Sequence, residues 1–242
     1  MSEKFWENIS GNNVMTYEGA MQKIGILLGF TVISALFTSA FSLEALHNNN
    51  IELVYLLSIG GAITGFILAM IIYISRPKNP APLMITYAII EGVFIGAMSS
   101  VMEYFYQGIV IQAILGTLAI FISMYFLYVS KVLRPTPTFN KVVISLTMSI
   151  MLLYVISMVI SLVTPYQMPL LHSSSPMGIG LTVFILIVAA LNLIMDFGFI
   201  ERSVQNQTPK VGEWWGAFGM LITLIWIYIE VLRLLAKLRS RN

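Results

Sequence analysis

Seven long apolar stretches govern what this chain can become: residues 23–45, 53–75, 83–104, 109–131, 142–164, 177–200 and 214–236. An α-helix rises about 1.5 Å per residue, so ~20 residues cross the ~30 Å of hydrocarbon in a bilayer. Within lipid every backbone N–H and C=O must be satisfied by the protein itself, which leaves the helix as the form for spans this long. The expectation is an all-α, polytopic membrane protein with seven transmembrane helices. A polar arm at residues 1–20 precedes a transmembrane domain at residues 21–242. Composition agrees, because 10% of the residues are charged where a soluble domain carries about 25%.

Charge in the connecting segments sets the expected orientation. Lys4 and Lys23 flank the first span, Arg76 and Lys78 follow the second, Lys131, Arg134 and Lys141 follow the fourth, and Arg202 and Lys210 follow the sixth. The alternate loops carry no Lys or Arg, only Glu44, Glu52, His47, His172 and polar filler. By the positive-inside rule the N-terminus is cytoplasmic. Arg233, Lys237, Arg239 and Arg241 oppose this; either the last span is incomplete or the earlier loops outweigh the tail, and its length and continuity favour the second. The first residues, MSEKFWENISGNN, are polar and read as an arm rather than a cleavable leader. The net charge of +2 argues against nucleic acid as a partner, and the absence of cysteine excludes disulfides and thiolate chemistry.

Ionisable groups inside the spans are the functional candidates, since a charge at membrane depth costs about 2.5–3.5 kcal/mol on insertion scales. Asp196, the only aspartate, stands in LNLIMDFGFI near the end of the sixth span; Glu91 stands in TYAIIEGVFIG of the third. Both are expected in the inner half of the bilayer, where two carboxylates sharing a dry site would share a proton, or, both ionised, would offer half of an oxygen-rich cation site. Alternatively Asp196 snorkels to the interface, and each acid takes hydrogen bonds from hydroxyls or from Arg76. Glu230 and Arg233, spaced i,i+3 in the last span, are natural ion-pair partners. Enzymatic readings fail for want of parts: both histidines, His47 and His172, fall in outer loops, no thiol exists, and an aspartic dyad would need a second aspartate. No resident cofactor is expected.

Three glycine pairs, Gly25/Gly29, Gly61/Gly65 and Gly92/Gly96, predict close helix approach in the first three spans. Ser145, Thr147, Ser149, Ser157 and Ser161 in the fifth span either bond back to their own helix or line a path. Trp214, Trp215, Tyr104, Tyr106 and Tyr128 are expected to anchor span ends at the interface. Arg-Pro steps in SRPKNPAP and LRPTPT should terminate the second and fourth spans.

Several of these residues together resemble the transmembrane Bax inhibitor-1 family, in its bacterial branch. They are the Asp closing the sixth span, EW...FG...T..W.Y.E.LRLL in the seventh, Arg76 after the second, and NPAPLMITYAIIEGVFIGAMSS in the third. The resemblance implies a bundle whose last helix is surrounded by the other six in two three-helix layers, in a bacterial plasma (inner) membrane. It also implies a calcium leak gated by pH, in which an acid on the sixth helix pairs with one on the seventh. Asp196 matches the first acid and Thr223 stands at the position of the second, so Glu91 is expected to take over as partner, with Ca2+ and H+ as the ions that meet the pair. The competing reading is a non-conducting membrane factor acting on other proteins, which the sequence does not name.

Overall fold

The computed structural model describes residues 14–163, 171 and 173–241. Lys4 and the rest of the arm before Val14, Thr164 at the end of the fifth span, and His172 lie outside the described residues. Seven helices follow in order: α1 (Tyr17–His47), α2 (Ile51–Ser75), α3 (Ala81–Phe105), α4 (Ile109–Val129), α5 (Pro137–Val163), α6 (Pro176–Gln205) and α7 (Gly212–Arg239). All seven are long and apolar enough to cross a membrane, and each coincides with one stretch read from the sequence, α4 stopping two residues short of residue 131.

Local chemistry fixes most starts. Thr16 caps α1, its hydroxyl accepting the Gly19 N–H at 2.9 Å. Gly108, with φ +77°, turns the chain into α4, a conformation that costs a residue with a Cβ. Thr136 and Ser175 accept N–H groups from the first turns of α5 and α6, ahead of Pro137 and Pro176, whose missing N–H is no loss at that position. α2 ends as expected, with Arg76 left-handed at φ 43°. α4 does not end at its Arg-Pro step: it stops at Val129, where Ser130 returns its N–H to Phe126, and Arg134 lies in the loop beyond. His47, expected in a loop, belongs to the last turn of α1, with its ring Nδ1 2.7 Å from the Leu43 carbonyl.

The chain divides into two compact units. The first holds residues 1–107 and 199–222, the second residues 108–198 and 223–242, so α6 and α7 contribute to both. In the first unit α3 packs on α1 and on α2. A Cβ added at Gly92 would collide with Ser34 and the Thr31 carbonyl, and one at Gly96 with the Ala35 carbonyl. On the other side, a Cβ at Gly61 would come within 3.0 Å of Phe94. The third pair behaves otherwise: among the described residues, a Cβ added at Gly25 or Gly29 would meet nothing within 4 Å, so no neighbouring helix comes close at these two glycines. Hydroxyls tie the α1–α3 seam further, with Thr31 donating to the Ala88 carbonyl at 3.1 Å and Ser100 to the Ser39 hydroxyl at 3.0 Å.

The start of α7 closes the first unit. Glu213 is fully buried, and its Oε1 accepts the backbone N–H and the hydroxyl of Thr16 at 3.2 and 3.3 Å. Gly19 leaves the space that this carboxylate fills. Just before α1, Met15 donates its N–H to the Thr208 carbonyl at 2.8 Å and is itself buried. Trp215, expected at the interface, is instead core, edge-on to Phe218. Tyr128 in the second unit is core too, packed with Phe121 and Tyr125 around Phe197.

Outward faces of the helices carry large apolar side chains such as Leu36, Phe37, Leu56, Ile111 and Leu152, the reverse of a soluble surface and what lipid contact requires. α7 is the most buried helix, with half of its most apolar window inside against 11% for α2.

Candidate functional site

Asp196 lies on α6 and Thr223 on α7, both in the second unit. The Thr223 hydroxyl donates to Asp196 Oδ2 at 2.6 Å. The sixth span is longer than its apolar stretch, and nine residues, or about 14 Å of helix rise, separate Asp196 from the end of α6 at Gln205. A charge-assisted bond of this length is among the stronger kinds, and here it joins two neighbouring helices.

Glu91 is buried on α3 in the first unit. Tyr87, one turn earlier, hydrogen-bonds its carboxylate, and the Tyr87 ring rests edge-on against Phe218 of α7 at 5.0 Å between centroids. Gly65 of α2 makes the room: a Cβ there would come within 2.5 Å of Glu91 Oε1. Thus each acid has its own hydroxyl donor, Thr223 for Asp196 and Tyr87 for Glu91. Arg76 bonds to neither and lies over the Tyr73 ring at 5.9 Å.

Glu230 and Arg233 meet as the i,i+3 spacing predicts, at 2.9 Å. Sequence reasoning missed their third member. Tyr154 of α5 donates to Glu230 Oε1, accepts from Arg233 Nη1 at 2.9 Å, and presents its ring beneath the guanidinium. Glu230 is 1% exposed, so removing its charge from water is offset only by these two donors, both on one oxygen. Lys237, one heptad further, is buried and donates to the Gly178 carbonyl and the Thr182 hydroxyl at the start of α6, at 3.0 and 2.9 Å. Asn192, one turn before Asp196 on α6, donates to Thr147 of α5 at 2.9 Å. Of the other α5 hydroxyls, Ser149 and Ser161 bond back to their own helix. Lys237 was legible only as a tail charge and Tyr154 only as one tyrosine among eleven. The usable signal was spacing, since Thr223, Glu230 and Lys237 recur every seven residues along one face of α7.

Among the described residues no cluster of three or more His, Cys, Asp or Glu could hold a metal ion. A family model described as Bax inhibitor 1 like matches residues 1–240. No curated protein and no solved structure matches the chain.

Proposed function

The chain belongs to the Bax inhibitor 1 like family, and from that premise we propose that it is a pH-sensitive leak channel or slow transporter for calcium and other cations. The observation that carries this reading is Asp196, a carboxylate deep in an apolar helix and bonded to Thr223 of the next helix. Acids in such positions mark ion or proton paths. Ionised, Asp196 is a cation ligand; protonated, it is a hydrogen-bond donor, so the two states hold the α6–α7 contact differently. Glu91, with Tyr87 and the notch at Gly65, is the second candidate protonation point. The N-terminus is cytoplasmic in this reading, in a bacterial plasma membrane, and α7 is a complete span that carries the C-terminus outside.

Calcium flux in proteoliposomes tests the proposal. Wild-type protein is expected to leak calcium at a rate that changes between about pH 6 and 8, and Asp196→Asn to remove most of that dependence. A flux indifferent to both Asp196→Asn and Glu91→Gln would falsify it. Absence of flux in every condition would leave the non-conducting membrane factor as the better account.

A further inference from the structure

The end of the second unit at which α7 finishes is basic, with too little acid to balance it. Asp196 and Glu230 are the acidic side chains of residues 108–198 and 223–242, and Glu230 is already held by Tyr154 and Arg233. Arg233, Lys237, Arg239 and Arg241 follow one another through the last turns of α7 and just beyond them. Arg233 and Lys237, four residues apart, share a helix face on which like charges repel. This is the same run of cations that opposes the charge asymmetry of the other loops.

Lys237 shows most directly what this end lacks. It is 5% exposed, yet its ammonium donates only to neutral oxygens, the Gly178 carbonyl and the Thr182 hydroxyl, and among the described residues it forms no ion pair. A charge withdrawn from water is best tolerated where an opposite charge answers it. Hydrogen bonds hold the neighbouring groups in place. The Ser240 hydroxyl donates to the Lys237 carbonyl at 3.1 Å and meets the Ser174 hydroxyl, just ahead of α6, at 2.5 Å. Arg239 Nη2 donates to the Gln112 amide oxygen at 3.0 Å. The tail is thereby fastened to the starts of α4 and α6, with Arg239 and Arg241 on either side of Ser240. Leu238 and Met177, 44% and 74% exposed, set apolar side chains beside these cations. The apolar stretch of α7 ends at residue 236, so the cluster follows directly on the hydrocarbon, at the depth of lipid headgroups.

We propose that this end of the second unit is a docking surface for the phosphate of an anionic glycerophospholipid, received by Arg239 and Arg241 with Ser174 and Ser240 between α6 and the tail. Arginine and hydroxyl donors are the groups that hold phosphate oxygens, and a basic segment next to a membrane span attracts anionic headgroups. The bound phosphate supplies the negative field that the buried Lys237 lacks, and buried charges are little screened by salt. A zwitterionic headgroup carries its own cation and brings no net charge to the tail. Leu238 and Met177 favour a lipid over a soluble phosphate, since acyl chains cover them once the headgroup is seated. The surface depends neither on conduction nor on which side of the membrane the tail faces, so it stands or falls apart from the calcium leak.

The test counts lipid bound to the purified full chain by native mass spectrometry, with phosphatidylglycerol and phosphatidylcholine offered in equal amounts. Wild-type protein is expected to retain phosphatidylglycerol about tenfold over phosphatidylcholine, and Arg239→Gln combined with Arg241→Gln to bring that ratio close to parity. Arg239→Lys with Arg241→Lys keeps the charge and is expected to keep most of the preference. Arg241→Gln alone, at an exposed residue beyond the helix, is expected to lower the ratio severalfold and decides the matter if the paired variant fails to fold. Equal retention of the two lipids by wild type, or a ratio unmoved in the folded glutamine variants, overturns the surface. The same loss after Lys78→Gln with Lys210→Gln, exposed lysines of the first unit, also overturns it, because the attraction is then diffuse. Release of phosphatidylglycerol by an equal concentration of inorganic phosphate overturns the lipid assignment in favour of a soluble anion.

Discussion

Thr223 stands where the family resemblance expects a second acid, and it holds Asp196 by donating one hydrogen bond. Thr223→Val keeps the shape and removes the donor, leaving a carboxylate oxygen without its partner, at a cost of about 1–3 kcal/mol. Thermal unfolding in detergent should show a lower midpoint. Thr223→Asp is expected to act in the opposite functional sense, because two carboxylates in contact share a proton. Calcium leak in that variant should depend on pH more steeply than in wild type. Arg233 offers a third measurement at this scale. Arg233→Met strands Glu230, which is 1% exposed, and breaking a buried pair costs about 3–5 kcal/mol. Because 31% of the Arg233 side chain remains exposed, the lower end of that range is expected; Glu230→Gln should cost less, since Tyr154 can still donate to the amide oxygen.

Among elements, the glycine pairs separate what a pattern reveals from what it hides. All three pairs look alike in sequence, yet Gly92 and Gly96 face α1 across a tight seam, whereas a Cβ added at Gly25 or Gly29 would meet nothing within 4 Å among the described residues. Periodicity fixes that two residues share a face but not which neighbour, or none, that face meets. Gly25→Ala and Gly29→Ala are therefore expected to be neutral or stabilising by up to about 1 kcal/mol, the helix propensity difference. Gly92→Val and Gly96→Val should unfold the first unit or lower its melting midpoint sharply. Gly65→Ala is narrower in effect, displacing Glu91. The seven spans themselves were legible because an apolar run of this length has one physical outcome in lipid. Asp196 and Thr223 were legible through motif spacing. Tyr154 was not, because a hydroxyl in midspan acquires meaning only from the helix packed against it, and Trp215 was misjudged because burial of a span end depends on what covers it.

For the whole molecule, orientation sets the direction of the proposed transport, and a chain without cysteine is suited to checking it. Single substitutions Ser130→Cys and Asn206→Cys are expected to react with an impermeant maleimide only from the cytoplasmic side, and Asn48→Cys and Ser240→Cys only from outside. The reverse pattern would place the N-terminus outside and overturn the orientation read from the loop charges. The second unit already constrains part of the answer. Arg239 bonds to Gln112 at the start of α4, and Lys237 to Gly178 at the start of α6, so the basic tail shares a side with two loops that lack Lys and Arg. The clasp at the other end of α7 bears on biogenesis. Thr16 precedes its partner Glu213 by 197 residues, and ribosomes add about 5–20 residues per second. The opening helix must wait on the order of ten seconds or more for the carboxylate that finishes its first turn. A nascent chain halted before Glu213 should expose Met15 and Thr16 to protease, and completed chains should protect them.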